Sequence, residues 1–89
     1  KQDFTNAYKF LYEAIEIDNY NSGAMANLAY TCSKIGNYEE SADLIYKALQ
    51  IAPDKKTLHF NAGNVAAEVS RQRYFEKAIR IYEILVKVD

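Results

Sequence analysis

The chain has no tryptophan, and cysteine, histidine, methionine and proline occur once each. A single thiol, Cys32, excludes an internal disulfide and a multi-thiolate metal site. It fits a reducing compartment, so a cytoplasmic location is expected. With His59 the only imidazole, no histidine-based metal site can be assembled, and no metal or other cofactor is expected. HExxH, GxGxxG, CxxC and a phosphate-cradling glycine loop are all missing. Catalysis needs a nucleophile, paired acid and base groups or a metal in one cleft; the sequence supplies none of these, and no enzyme is expected. No apolar run approaches the roughly 18 residues a membrane span requires. Strand-like alternation is missing over any useful length. The first residue is Lys1 and nothing resembling a signal segment precedes the helical pattern, so the chain is read as a piece of a longer protein.

What is present is repetition. Met25, Leu28, Ala29 and Cys32 recur in role as His59, Ala62, Gly63 and Ala66, and Asn27 recurs outright as Asn61, at a stride of 34 residues. In the other phase Ala7, Leu11 and Ala14 recur as Ser41, Ile45 and Ala48. A fixed period between about 20 and 50 residues signals stacked supersecondary units that bury a shared core. Such stacks bind other molecules along a continuous surface. The 89 residues, 49% of them apolar and 26% charged, make at most one small soluble domain of this kind. The net charge of −1 hides a gradient: residues 1–54 hold four Lys against eight acids, a balance of −4, and residues 55–89 hold seven Lys or Arg against four acids, a balance of +3.

The periodicity is helical throughout. From Ser22, the set Met25, Leu28, Ala29, Cys32 follows i, i+3, i+4, i+7, one face of a helix. Gly36 ends that helix, and Asn37 with Glu40 resembles a capping box for the next. The following helix buries Tyr38, Ser41, Ile45, Ala48 and Leu49 and stops at Ile51, before Pro53. The short turn makes the two antiparallel neighbours. Phe4, Ala7, Leu11, Ala14 and Ile15 form an opening helix, with Asp3 as its cap. Asp54 is the expected cap of a fourth helix carrying His59, Ala62, Gly63, Ala66 and Val69. A fifth carries Phe75, Ala78, Tyr82, Leu85 and Val86.

The stride has one irregularity. Ser41 to Ala78 spans 37 residues, so three extra residues lie between Ala66 and Phe75. Three residues are roughly one helical turn. Either the fourth helix runs a turn longer toward Gln72, or Ser70–Arg73 form a longer loop.

These residues resemble the tetratricopeptide repeat, a 34-residue helix–turn–helix unit. Within Ser22–Lys55, Leu28-Ala29, Gly36-Asn37-Tyr38, Ala48-Leu49 and Pro53 stand where that family favours Leu-Gly, Gly-x-Tyr, Ala-Leu and Pro. Met25 and Cys32 replace its tryptophan and tyrosine, and Ser41 replaces an alanine. The following stretch matches through Asn61-Ala62-Gly63-Asn64, Phe75-x-x-Ala78 and Tyr82. The opening helix matches through Phe4-x-x-Ala7 and Glu13-Ala14-Ile15. The resemblance implies an all-α fold, a right-handed superhelical stack (α-solenoid) of about five helices. It divides the single segment 1–89 into the second helix of a partial repeat (1–21), a full repeat (22–55) and a full repeat with a three-residue insertion (56–89). Small residues at Ala29/Gly63 and Ser41/Ala78 would let helix axes approach, with Leu28, Ile45 and Tyr82 filling the gaps.

The family's usual work is protein–protein interaction, so a protein or peptide partner is expected, held by a scaffold or adaptor. The first helix of each pair would line the concave side, presenting Gly23, Ala26, Asn27, Tyr30, Ser33 and Lys34, then Thr57, Phe60, Asn61, Asn64, Ala67 and Glu68. Of these, Asn27, Tyr30, Lys34, Phe60, Asn61, Asn64 and Glu68 are the candidate protein-binding residues. The aromatics offer contact area, and the amides can donate to and accept from a peptide backbone. A carboxylate clamp of the kind found in chaperone-binding members is not expected: Asn27 and Asn61 match its asparagines, but Ala26 and Thr57 stand where its lysines belong. His59 and Cys32 are read as packing residues, the first at the core's edge. Arg71, Arg73, Lys77 and Arg80 form a basic cluster, yet the chain is net acidic, so nucleic acid is not an expected partner. Ile79, Ile81, Tyr82, Ile84, Leu85, Val86 and Val88 make the last helix apolar nearly all round. That pattern, with the uncovered opening helix, leaves self-association through the terminal helices as a further expectation, and a self-assembly segment with an empty groove as the alternative function.

Overall fold

A computed structural model describes residues 3–87. Five helices follow one another: α1 (Phe4–Ile17), α2 (Ser22–Ile35), α3 (Tyr38–Ile51), α4 (Lys56–Arg71) and α5 (Phe75–Lys87). No strand occurs among the described residues. The protein is all-α, a helical-repeat stack in which α2 packs most extensively on α3, and α4 is layered on both before α5 closes against α3 and α4.

Local chemistry sets the helix ends. The Asp3 carboxylate accepts from the Asn6 backbone N–H at 3.2 Å, as expected. Asn21 does the same for Ala24 at 3.0 Å, a cap not expected from the sequence. Two expected caps are corrected. Asn37 sits at the N-cap of α3 without a side-chain cap bond; its expected partner Glu40 instead accepts a hydrogen bond from Tyr8 of α1. At α4 the N-cap residue is Lys55, not Asp54, and it makes no side-chain cap bond.

The three extra residues are divided between helix and turn. α4 has 16 residues where α2 has 14, and the turn after it has three residues where Gly36-Asn37 has two. The two turns still end alike. Gly36 lies in the left-handed region at φ 93°, and Asn37 N–H donates to Cys32 O at 2.9 Å. Arg73 lies there at φ 75°, with Tyr74 N–H donating to Val69 O at 2.9 Å and Arg73 N–H to Ser70 O at 2.9 Å. Both are αL terminations that satisfy otherwise orphaned carbonyls. Only the first uses glycine, the residue that adopts this conformation without Cβ strain.

The core is one cluster that joins Met25 and Ala29 of α2, Ile45, Ala48 and Leu49 of α3, Leu58, Ala62, Val65, Ala66 and Val69 of α4, and Ala78 and Ile81 of α5. Ser41 fits beneath α2 by donating its hydroxyl to Ala29 O, which explains how a polar residue occupies a seat for alanine at no cost in unpaired groups. The buried face of α4 is rotated from the expected one: Leu58 and Val65 are enclosed, whereas His59 and Gly63 are half-buried. A Cβ built on Gly63 would meet nothing within 4 Å, so no close helix approach requires glycine there. On α5, Ile81 is enclosed and Ile84 and Leu85 are half-buried, while Ile79, Tyr82 and Val86 are exposed. Val88, grouped with them from the sequence, lies outside the described residues.

Candidate protein-binding face

α2 and α4 run side by side, so residues 34 apart meet across the stack. The Asn61 amide donates from Nδ2 to Asn27 Oδ1 at 3.1 Å, joining the recurring asparagines into a ladder. One turn further along α2, the Lys34 ammonium lies 5.2 Å from the centroid of the half-buried Tyr30 ring, a cation–π contact. Asn64 is exposed, and its Nδ2 donates to Phe60 O at 3.1 Å, leaving the amide oxygen for another partner. Glu68 is half-buried; it pairs with Arg71 and accepts from Gln72 Nε2 at 3.2 Å. Asn27, Asn61, Tyr30 and Lys34 therefore form two contacting pairs, and Asn64 and Glu68 stand further along α4.

Two groove assignments change. Ala26 and Ser33 are buried, with Ala26 part of the core cluster that includes α4, and Ser33 donating its hydroxyl to Tyr30 O at 2.6 Å. They are inter-helix packing residues rather than groove lining. Phe60 holds the register of Ala26 one repeat later and is 74% exposed, against 1% for Ala26. It stands exposed on α4 and remains a candidate for the face.

His59 is occupied structurally: Nε2 lies 2.6 Å from Pro53 O, so that nitrogen must carry the proton and donate. The ring fastens the turn before α4 and sits at the edge of the core, as expected. Cys32 is fully enclosed. Burial, followed by the charge and hydrogen bonding of Glu40, pushes its thiol up to about 12. Burial and then the hydrogen bond to Glu40 push Tyr8 up to about 12 as well. The Tyr8 hydroxyl reaches the two Glu40 oxygens at 3.3 and 3.1 Å. This cluster links α1 to α3 through neutral donors; a thiol so protected is no nucleophile. No group of three or more potential metal ligands occurs among the described residues.

Two clefts went unseen in the sequence. One of about 1150 Å³ runs between α1 and α3, bounded by Tyr12, Ile15 and Glu16 on one side and Tyr38, Glu39 and Asp43 on the other. The corresponding junction of α3 with α5 is tied by a Lys77–Asp43 ion pair at 2.7 Å and by Tyr38 against Tyr74, ring centroids 6.3 Å apart. The second cleft, about 430 Å³, is lined by Asp3, Phe4, Ala7 and Leu11 of the α1 end and by Asn27, Tyr30 and Thr31 of α2. It brings two of the candidate residues against α1. Its only signal in the sequence was an opening helix with no partner before it.

A helix-pair stack with an amide ladder on one face and no assembled reactive groups defines the class: a helical-repeat protein. Residues 22–55 match the family model for the tetratricopeptide repeat, which supports assigning this repeat to that family. Its repeats generally mediate protein–protein interaction. Neither the comparison with curated proteins nor that with solved structures returns a match. No helix among the described residues is long and apolar enough to cross a membrane.

Proposed function

We propose that the chain is a non-catalytic interaction module, part of a scaffold or adaptor working in the cytoplasm, that holds a peptide or helix of a protein partner along α2 and α4. Residues 56–89 act in this reading as a second, altered repeat, and residues 1–21 as half of another. The observation that carries it is the Asn27–Asn61 pair: two amides 34 residues apart, joined at 3.1 Å on the exposed side of the stack. Each retains donor or acceptor capacity that a peptide backbone can use. Tyr30, with Lys34 beside it, adds aromatic area at low entropic cost, and Asn64 and Glu68 extend the polar rim.

Nucleic acid fits less well. Arg71 is paired with Glu68, Lys77 with Asp43, and the Arg80 guanidinium lies over Tyr46 at 5.6 Å. The basic cluster is thus largely engaged within the chain instead of presenting a free field to phosphates.

The test is selection of peptides from a displayed library on the 89-residue chain, followed by alanine variants. Tyr30→Ala and Asn61→Ala should each weaken the selected peptides about tenfold or more, ~1.4 kcal/mol. Selected peptides that bind both variants like the parent would move the site elsewhere.

A further inference from the structure

α3 has a neighbouring second helix on each side, α5 and α1, and the two junctions differ. α5 packs directly on α3, whereas α1 rests on α2 and leaves a cleft of about 1150 Å³ before α3. The repeat register explains the difference. The closed junction is locked by Tyr74 against Tyr38 and by Lys77 paired with Asp43. At the open junction the seats of Tyr74 and Lys77 belong to Asn37 and Glu40. Asn37 brings no ring, and Glu40 accepts from Tyr8, so neither lock recurs. Three successive helices frame the cleft, with the enclosed Leu28 of α2 at its floor. It lies between helices, not on an end face of the stack.

The lining combines aromatic faces with carboxylates. Tyr12 and Ile15 come from α1, Tyr38 and Leu44 from α3, and Tyr12 is 45% exposed. Glu16, Glu39, Glu40 and Asp43 stand against Lys47, a balance of −3, which becomes −2 once Lys77 is counted with Asp43. Glu16 and Glu39 are exposed, and neither is in an ion pair among the described residues. Negative charge of this kind turns phosphates away, so nucleic acid and anionic lipid do not fit. Among the described residues no three such groups gather to hold a metal ion. A cationic side chain fits, and arginine fits better than lysine. Its planar guanidinium stacks on a tyrosine ring and offers five donors to carboxylates. Ile15 and Leu44 can take its methylene stem or an apolar neighbour. Asn19 and Asn37, also in the lining, can serve a peptide backbone.

We propose that the α1–α3 cleft is a second docking surface, which seats an arginine-bearing segment of a protein partner. The guanidinium lies on a tyrosine ring, with Glu16 and Glu39 as its counter-charges. This is independent of the groove reading, since it uses none of the residues assigned to the α2–α4 face.

The probe is a capped peptide alternating leucine and arginine, beside versions with lysine or citrulline in place of arginine. Backbone-amide NMR signals of Tyr12, Glu16, Tyr38 and Glu39 should shift on titration, while those of Asn27, Asn61 and Asn64 stay in place. Citrulline keeps the shape of arginine without its charge and should bind at least about tenfold more weakly; lysine should fall between. Glu16→Lys and Glu39→Lys, both at exposed positions, should each weaken the arginine peptide about tenfold, with circular dichroism verifying unchanged helicity. Added salt should weaken it too. An arginine peptide that fails to bind, or that shifts the α2–α4 face instead, overturns the proposal. So does citrulline or lysine binding as tightly as arginine, or unchanged affinity in both charge variants. Asn61→Ala should bind the arginine peptide like the parent, so this surface and the groove can fail separately.

Discussion

Leu49 and Val86 hold the same seat on α3 and α5, yet Leu49 is fully enclosed and Val86 is 77% exposed. Ala26 and Phe60 repeat the contrast on α2 and α4. The two helix pairs share a register and a hairpin form, but they differ in what lies over them. The first pair has α4 as cover, and its seats are small or tightly packed. The second pair carries larger side chains at those seats and leaves them open. A register therefore says which residues are equivalent, while the neighbouring helix decides which are core.

The largest expected effect follows from that pair of seats. Leu49→Ala should cost about 2–5 kcal/mol, through lost burial and the cavity left behind. Val86→Ala should stay within about 0.5 kcal/mol of the parent, as surface changes do. Denaturant unfolding of both variants checks this, and comparable losses would break the contrast. Next in size is overpacking. Ala48→Leu and Ala26→Phe each force a larger side chain into an enclosed seat and should cost about 1–3 kcal/mol. Phe60→Ala, the reverse change at the open seat, should be near neutral by the same measurement.

Smaller effects lie in the backbone. Arg73→Gly should raise stability by about 1 kcal/mol, since it relieves a left-handed residue that Gly36 occupies freely in the first pair. Gly63→Ala should add about 0.5–1 kcal/mol, because glycine weakens a helix interior and the space for a methyl is open. A loss in thermal melting for either would show a contact at that site that the fold does not display. The smallest effect is alkaline. Cys32 and Tyr8 are held protonated in the fold, up to about 12 from 9.0 and 10.0, so the stability tied to them is full below pH 9 and is lost as pH rises toward 12. Cys32→Ala should flatten the lower part of that fall. At neutral pH the parent thiol should resist alkylation until the chain unfolds.

Much of this was legible in the residues. The apolar spacings placed all five helices, Gly36 marked the end of α2 and Pro53 that of α3, and the stride brought Asn27 to Asn61. What failed has identifiable causes. Asn37 and Asp54 are good cap residues by type, but a cap bond depends on the local approach to the helix, and Glu40 found a stronger partner in Tyr8 across a gap of 32 residues. The face of α4 was drawn by analogy with α2, and the analogy put His59 where Leu58 belongs. Ala26 and Ser33 were assigned to the groove by position alone, although packing within the stack buries both. Neither cleft has a local signature, because each arises from the spacing of helices distant in sequence.

The central claim, that equivalent seats are covered in the first pair and open in the second, is tested most directly by thiol accessibility. In a Cys32→Ala background, single cysteines replace Ala26, Ala42, Phe60 and Ile79, and alkylation rates are measured on the folded chain at low concentration. Cysteines at 60 and 79 should react nearly as fast as a free thiol, and those at 26 and 42 only as fast as the structure opens. Equal rates at all four positions would contradict the account.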